Sequence, residues 1–149
     1  MTRVILALAC LSLTACSSLP DRWVPDALSD ARGPFRPVSD YPTPPNVDLM
    51  IGPEDCRGST LAALEAPDPT YPGAAWSHGR QGWVVVRFNV DADGRVDRAR
   101  VARAVPDGPF NRAALRAVSD WRFRPLDGVD VLENCVVMFE FRAGEVQIR

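Results

Sequence analysis

The residues able to do chemistry in this chain are few, and most of them are thiols. Cysteines stand at Cys10, Cys16, Cys56 and Cys135, and His78 is the single histidine. A nucleophilic triad needs a base aimed at a serine or cysteine and itself oriented by a third group. His78 sits instead in Ser77-His78-Gly79 with no such motif around it, so a capping or exposed side chain is expected. Asp91, Asp93 and Asp97 suggest a calcium loop, yet the glycine and terminal glutamate spacing of an EF-hand is missing; a hairpin turn accounts for them. A structural zinc site needs four ligands, so two cysteines and one distant histidine predict no metal. Glycine-rich phosphate loops do not occur. The expectation is a protein that is not an enzyme and needs no cofactor.

The chemistry that remains belongs to the thiols, and the first sixteen residues decide its compartment. Arg3 gives a positive start, Val4 to Leu13 an apolar run of ten residues, and Leu13-Thr14-Ala15-Cys16 a small-residue cleavage site, the pattern of a secretory signal peptide over 1–15. Those four residues resemble the lipobox of bacterial lipoproteins. The resemblance implies cleavage before Cys16 and lipid attachment to its thiol, including palmitate, so that the mature chain is tethered rather than spanning. An ordinary signal peptide with an incidental cysteine is the alternative. Ser17 in the second mature position resembles lipoproteins sent to the outer membrane rather than those kept in the inner one. Cys56 and Cys135 are then an even pair in an oxidising space and are expected to form a disulfide; two separate buried thiols are the alternative. Closing a loop of nearly eighty residues contributes roughly 4.5 kcal/mol in the chain-entropy model.

The composition bounds what carries these groups. A chain of 149 residues with net charge −2, 46% hydrophobic and 24% charged is one ordinary domain with some extra chain. No apolar stretch approaches the roughly 20 residues that span a bilayer as a helix, and the near-neutral balance argues against a nucleic-acid binder. None of the 17 basic residues is Lys. They are unevenly placed: 17–70 holds four Arg against nine acids, and 95–124 holds eight Arg against three acids. Because these Args alternate with apolar positions, they read first as a solvated face. Eight of the 14 prolines fall between Leu19 and Pro53, with no apolar period, which predicts a Pro-rich linker over 16–48 after the lipidated cysteine. Trp23 and Phe35 in it are expected to be incidental or interfacial anchors. Leu49-Met50-Ile51, Leu61 and Leu64 mark the start of a folded unit over 49–149.

Within that unit, Val84, Val86, Phe88 and Val90 alternate with Trp83, Val85, Arg87 and Asn89, the period of a strand over 82–90. Asp91-Ala92-Asp93-Gly94 supplies a turn in which Gly94 can take positive φ. A return strand over 95–105 breaks its alternation once, predicting a bulge near Asp97. Phe110, Ala114, Ala117, Val118 and Trp121 form one stripe of a helix, with Asn111 expected as N-cap and Pro125 as its stop. Cys135 to Arg142 alternates again as a last strand. Tyr71-Pro72 before Gly73–Ser77 predicts a short first helix. The order helix, strand, strand, helix, strand is α+β. Directions place the last strand antiparallel to 82–90 and paired with it, so the sheet order is return strand, first strand, last strand, with Cys135–Arg142 at an edge. One face takes both helices. The other carries Trp83, Val85, Val136 and Met138, too apolar to stay bare; Leu49–Leu64, fastened through Cys56, is expected to cover part of it.

Tyr71-Pro72, Gly82-Trp83-Val84-Val85-Val86-Arg87-Phe88, Asp91-Ala92-Asp93-Gly94-Arg95-Val96, Phe110, Ala114, Ala117-Val118 and Trp121-Arg122-Phe123-Arg124-Pro125 together resemble the C-terminal domain of the TonB energy-transducer family. The resemblance runs from about Tyr71 to Arg149. It implies a TonB C-terminal-domain-like fold, a three-stranded antiparallel sheet with two helices on one face. It also implies a periplasmic module of the Gram-negative cell envelope that binds an extended peptide of an outer-membrane receptor or other envelope protein. Binding is by strand addition, the generic way a peptide satisfies an edge, and serves TonB-type transmembrane transport. Carried onto this chain, the peptide-binding edge is Val136, Val137, Met138, Phe139, Glu140, Phe141 and Arg142, extended in one version by Gly144 to Ile148. Family transducers begin with an uncleaved membrane helix coupled to a proton-driven motor, whereas a cleavable lipobox signal is read here. The favoured partners are therefore a receptor peptide and, through the lipid anchor, the outer membrane before the inner. A structural envelope lipoprotein touching peptidoglycan or an assembly complex through the Arg95–Arg124 face, with Arg98 and Arg100 in it, an edge sealed by the chain's own tail or by a homodimer, and a full energy transducer are the alternatives.

Overall fold

A computed structural model describes residues 32–149. The expected signal peptide, the lipidated Cys16 and Trp23 lie outside the described residues. The elements are β1 (Ala63–Glu65), α1 (Gly73–Ser77), β2 (Gly82–Asp91), β3 (Val96–Val105), α2 (Asn111–Asp120), β4 (Arg122–Phe123), β5 (Val131–Arg142) and β6 (Glu145–Ile148). This is the α+β arrangement expected from the periodicities.

The main sheet is antiparallel with order β3-β2-β5-β6. β2 is its centre because both faces of that strand are apolar, and it is buried along nearly its whole length. The bulge expected near Asp97 is present: Arg87 faces Arg100 while Asn89 faces Asp97, and Arg98 takes φ 50° in the gap. Gly94 takes φ 80° in the β2–β3 turn. β1 and β4 form a separate two-stranded ladder, which alternation could not reveal in segments this short.

The helix cap and the strand count differ from expectation. Asn111 is the first residue of α2 rather than its cap: Phe110 holds the N-cap position, and the Asn111 amide donates to Asp107 instead. The sheet has four strands, because the chain turns at Ala143-Gly144 and returns as β6 along β5.

One core lies between the sheet and the helices. Val84, Val86, Phe88, Val137, Phe139 and Phe141 meet Ala75, Phe110, Ala114, Val118 and Trp121 there. Trp121 packs edge-on against Phe88 and Phe139, and its indole N–H donates to the Pro67 carbonyl. The other face carries Trp83, Val85 and Met138, and its cover is Tyr41, Val47 and Met50. That shifts the expected boundary at Leu49: Arg32 to Arg149 is one compact unit, so 32–48 packs on the domain instead of spanning free space as linker. Leu49 and Leu64, expected to bury, are exposed. Phe35, read as incidental or an interfacial anchor rather than core, packs edge-on against Tyr71 and Trp76. The arm is pinned by backbone groups no hydropathy pattern reports: Gln81 donates to the Ser39 carbonyl, Trp83 Nε1 to Thr43, and Arg87 to Met50. Cys56 and Cys135 are joined by a disulfide that fastens the end of the arm to β5, as expected.

Candidate functional site

β5 is twelve residues long, and its inner side is hydrogen-bonded to β2 from Val131 to Phe141. On its outer side lies β6, four residues long. Phe139 faces Ile148, Glu140 faces Gln147, Phe141 faces Val146 and Arg142 faces Glu145. Met138 and Arg149 exchange both backbone hydrogen bonds at 2.8 Å, which ends the ladder. The predicted edge, Val136 to Arg142, is therefore not an open edge over its whole length. From Met138 to Arg142 it is covered by the chain's own hairpin, because a two-residue turn fits where Ala143 and Gly144 take φ 52° and 87°. Backbone groups in an antiparallel ladder alternate sides, so the next residue to point outward after Met138 is Val136. No partner strand reaches Val136 or Val137 on that side among the described residues.

β6 is a light cover. Glu145, Gln147 and Arg149 are exposed, Ile148 is 41% exposed, and only Val146 leans on the core. Its turn is held better than its strand. Gly144 lies so close to Trp76 that a Cβ there would stand 2.6 Å from the indole, and the Ala143 N–H donates to Gln81 Oε1. Gln81 thus bridges the arm and the hairpin turn. Sequence reading missed Gln81, since a lone glutamine before a strand carries no signal.

The side chains of β5 divide by parity. Val137, Phe139 and Phe141 enter the helix-side core. Val136 and Met138 face the arm, and Glu140 and Arg142 share that parity. Glu140 is 3% exposed, rare for a carboxylate. Arg149 Nε stands 2.9 Å from its Oε1, an ion pair without hydrogen-bond geometry whose guanidinium side chain is 63% exposed. The Tyr41 hydroxyl is buried close by, with no hydrogen bond of good geometry among the described residues. Burial, then the Glu140 carboxylate, pushes the ionisation of Tyr41 well above the ordinary phenol range. The Arg142 guanidinium lies over the Tyr41 ring, 5.1 Å from its centroid.

The other sheet edge is unlike this one. β3 carries two bulges and exposed Arg98, Arg100 and Arg103, features that discourage a flat added strand. Arg98 pairs with Asp97, and Arg100 donates to Asn134 across the sheet. His78 is exposed and its Nδ1 donates to the Ala74 carbonyl at 2.7 Å, a helix-end contact. Asp91 accepts from the Arg95 N–H inside the hairpin turn. Among the described residues no three His, Cys, Asp or Glu side chains converge to hold a metal, and no helix is long and apolar enough to cross a membrane.

Comparison with known proteins places the same residues in one group. The family described as Gram-negative bacterial TonB protein C-terminal matches residues 67–143. The protein TonB of Pseudomonas aeruginosa is 35% identical over 86 residues, 56% of this chain and 25% of that protein. The protein TonB of Yersinia enterocolitica is 32% identical over 92 residues, 62% of this chain and 33% of that one. The chain thus spans a quarter to a third of the length of these curated relatives. The solution NMR structure of the Pseudomonas aeruginosa TonB CTD superposes with a TM-score of 0.52 at 31% identity, covering 61% of this chain and 94% of that one.

Proposed function

Since this chain belongs to the TonB C-terminal family through residues 67–143, we propose that it is a docking module of the Gram-negative cell envelope that takes up an extended receptor segment as a strand on β5. Lipid on Cys16 moors it at the periplasmic face of a membrane, the outer one in preference, and the guest is a peptide of an outer-membrane receptor. The observation that carries the reading is the mismatch between β5 and its cover. β5 has twelve residues and β6 four. A guest of eight to ten residues repeats the backbone bonds of β6 and continues past Met138 to Val136, so it gains pairing that β6 leaves unused. The displaced segment rests on the core through Val146 alone, and its other anchor is the ion pair of Arg149 with Glu140.

Titration of the isotope-labelled mature chain with ten-residue peptides from receptor amino termini tests this by NMR. Amide shifts from Val136 to Arg142, with protection kept at Met138 and gained at Val136, are expected. Shifts confined to β3, or none at millimolar peptide, would overturn it. The mooring has its own test. Mass spectrometry of the mature amino terminus should find acylated Cys16 as the first residue, and an unmodified or uncleaved terminus removes that part of the proposal.

A further inference from the structure

Glu140 carries an inference that rests on strand exchange at β5 and goes beyond it. Among the described residues, its carboxylate is buried at 3% exposure and its ion pair is with Arg149. Arg149 belongs to the segment a guest displaces, since it is the residue backbone-paired with Met138 at the end of the β6 ladder. The neighbouring cation on the same strand, Arg142, is spent on the face of Tyr41. The carboxylate is buried while the Arg149 side chain is 63% exposed, so taking the guanidinium away leaves a desolvated charge with the Tyr41 hydroxyl beside it, which is unfavourable. We propose that Glu140 selects guest segments bearing an Arg or Lys opposite Met138, the place Arg149 occupies when the site is empty.

The flanking register completes the recognition pattern. The guest residues opposite Phe141 and Phe139 take the positions of Val146 and Ile148, on the helix-side face where Val146 packs on the core and Ile148 is 41% exposed, and these positions favour apolar side chains. The residue between them faces Glu140 directly, where Gln147 stands now. The partner class is an extended peptide reading apolar, any, apolar, basic, followed by residues that pair with Val137 and Val136. In this arrangement β6 is a stand-in for the guest, and Arg149 keeps Glu140 neutralised between guests.

The test uses three acetylated peptides on the full mature chain: a copy of Glu145–Arg149 extended by Thr-Val at each end, its twin with Gln at the Arg149 place, and a third with Glu there. Affinities come from NMR titration. The Arg peptide is expected to bind at least about tenfold tighter than the Gln twin, as a desolvated charge pair does. The Glu peptide should bind weakest. The Arg preference should survive 0.5 M salt, because the carboxylate half of the pair is buried and screened less than surface charges, and it should shrink to about twofold or less in Glu140→Gln. Equal binding by the Arg and Gln peptides overturns this inference and leaves strand exchange standing. A preference that vanishes in salt also overturns it, as mere surface attraction. No binding by any of the three overturns strand exchange and this inference together. The three-peptide comparison decides on the natural chain alone if Glu140→Gln fails to fold.

Discussion

At the scale of single residues, the fold depends on a few positions where no other side chain fits. Gly94 combines φ 80° with a backbone approach in which a Cβ would stand 2.2 Å from the Phe123 carbonyl oxygen. Gly94→Ala therefore pairs left-handed strain with a clash against main chain that cannot yield, and should cost about 2–4 kcal/mol, read from urea unfolding. Tyr71 sets a pH limit. It is buried against Phe35, Trp76, Phe110 and Phe141, its hydroxyl donates to the Arg80 carbonyl, and burial pushes its pKa up to about 12. Above about pH 10 the unfolded phenol ionises while the folded one keeps its proton. The native state then binds more protons, and stability falls as pH rises from 10 toward 12. Urea midpoints measured across that window should fall steeply in the natural chain and less steeply in Tyr71→Phe.

At the scale of elements, the decisive pair is β5 and β6. Gln147 is directly opposite Glu140, at a position where strand backbones exchange hydrogen bonds. Gln147→Pro removes that donor and loosens β6 without touching β5. If the guest replaces β6, the variant should bind the extended peptides several-fold more tightly than the natural chain, by calorimetric titration, because the internal competitor is weaker. If the guest instead stacked outside β6, the same change would weaken binding. The bulged, arginine-bearing β3 edge gives the molecule one sheet border suited to a visitor and one that repels it.

At the scale of the whole molecule, the arm completes the domain. Without Tyr41, Val47 and Met50 the sheet would show Trp83, Val85 and Met138 to water, each worth about 2 kcal/mol when buried. The disulfide closes a loop of 79 residues and ties the arm to β5. Reduction, or Cys56→Ser, should lower unfolding stability by about 2–5 kcal/mol, measured by denaturant titration with and without reductant. Asp55, held below the usual carboxylate range by the Gly52 N–H and then by Arg87, fixes the loop just before that bridge.

Much of this was legible in the chain. Alternation in 82–90 and 135–142, the Asp91–Gly94 turn, the Phe110–Trp121 stripe and the Cys56–Cys135 pair are local patterns, and each appears where its period placed it. The segment of β6 was open to two readings, an extension of the last strand or a tail sealing its edge, because four mostly exposed residues carry too little alternation to choose between them. The arm escaped notice because prolines and polar residues hide a segment whose attachment is made by its backbone carbonyls.

The sequence by itself determined the two helices and the three long strands, their directions, the covalent staple and the family to which the folded part belongs, because those follow from side-chain period, turn chemistry and motif spacing along one dimension. Tertiary structure alone decided that the border of the sheet is already occupied, and that Glu140 is buried there with a cation borrowed from the last turn of chain. Both depend on which backbone rows and which charges meet across space, and such meetings leave no mark on the order of residues.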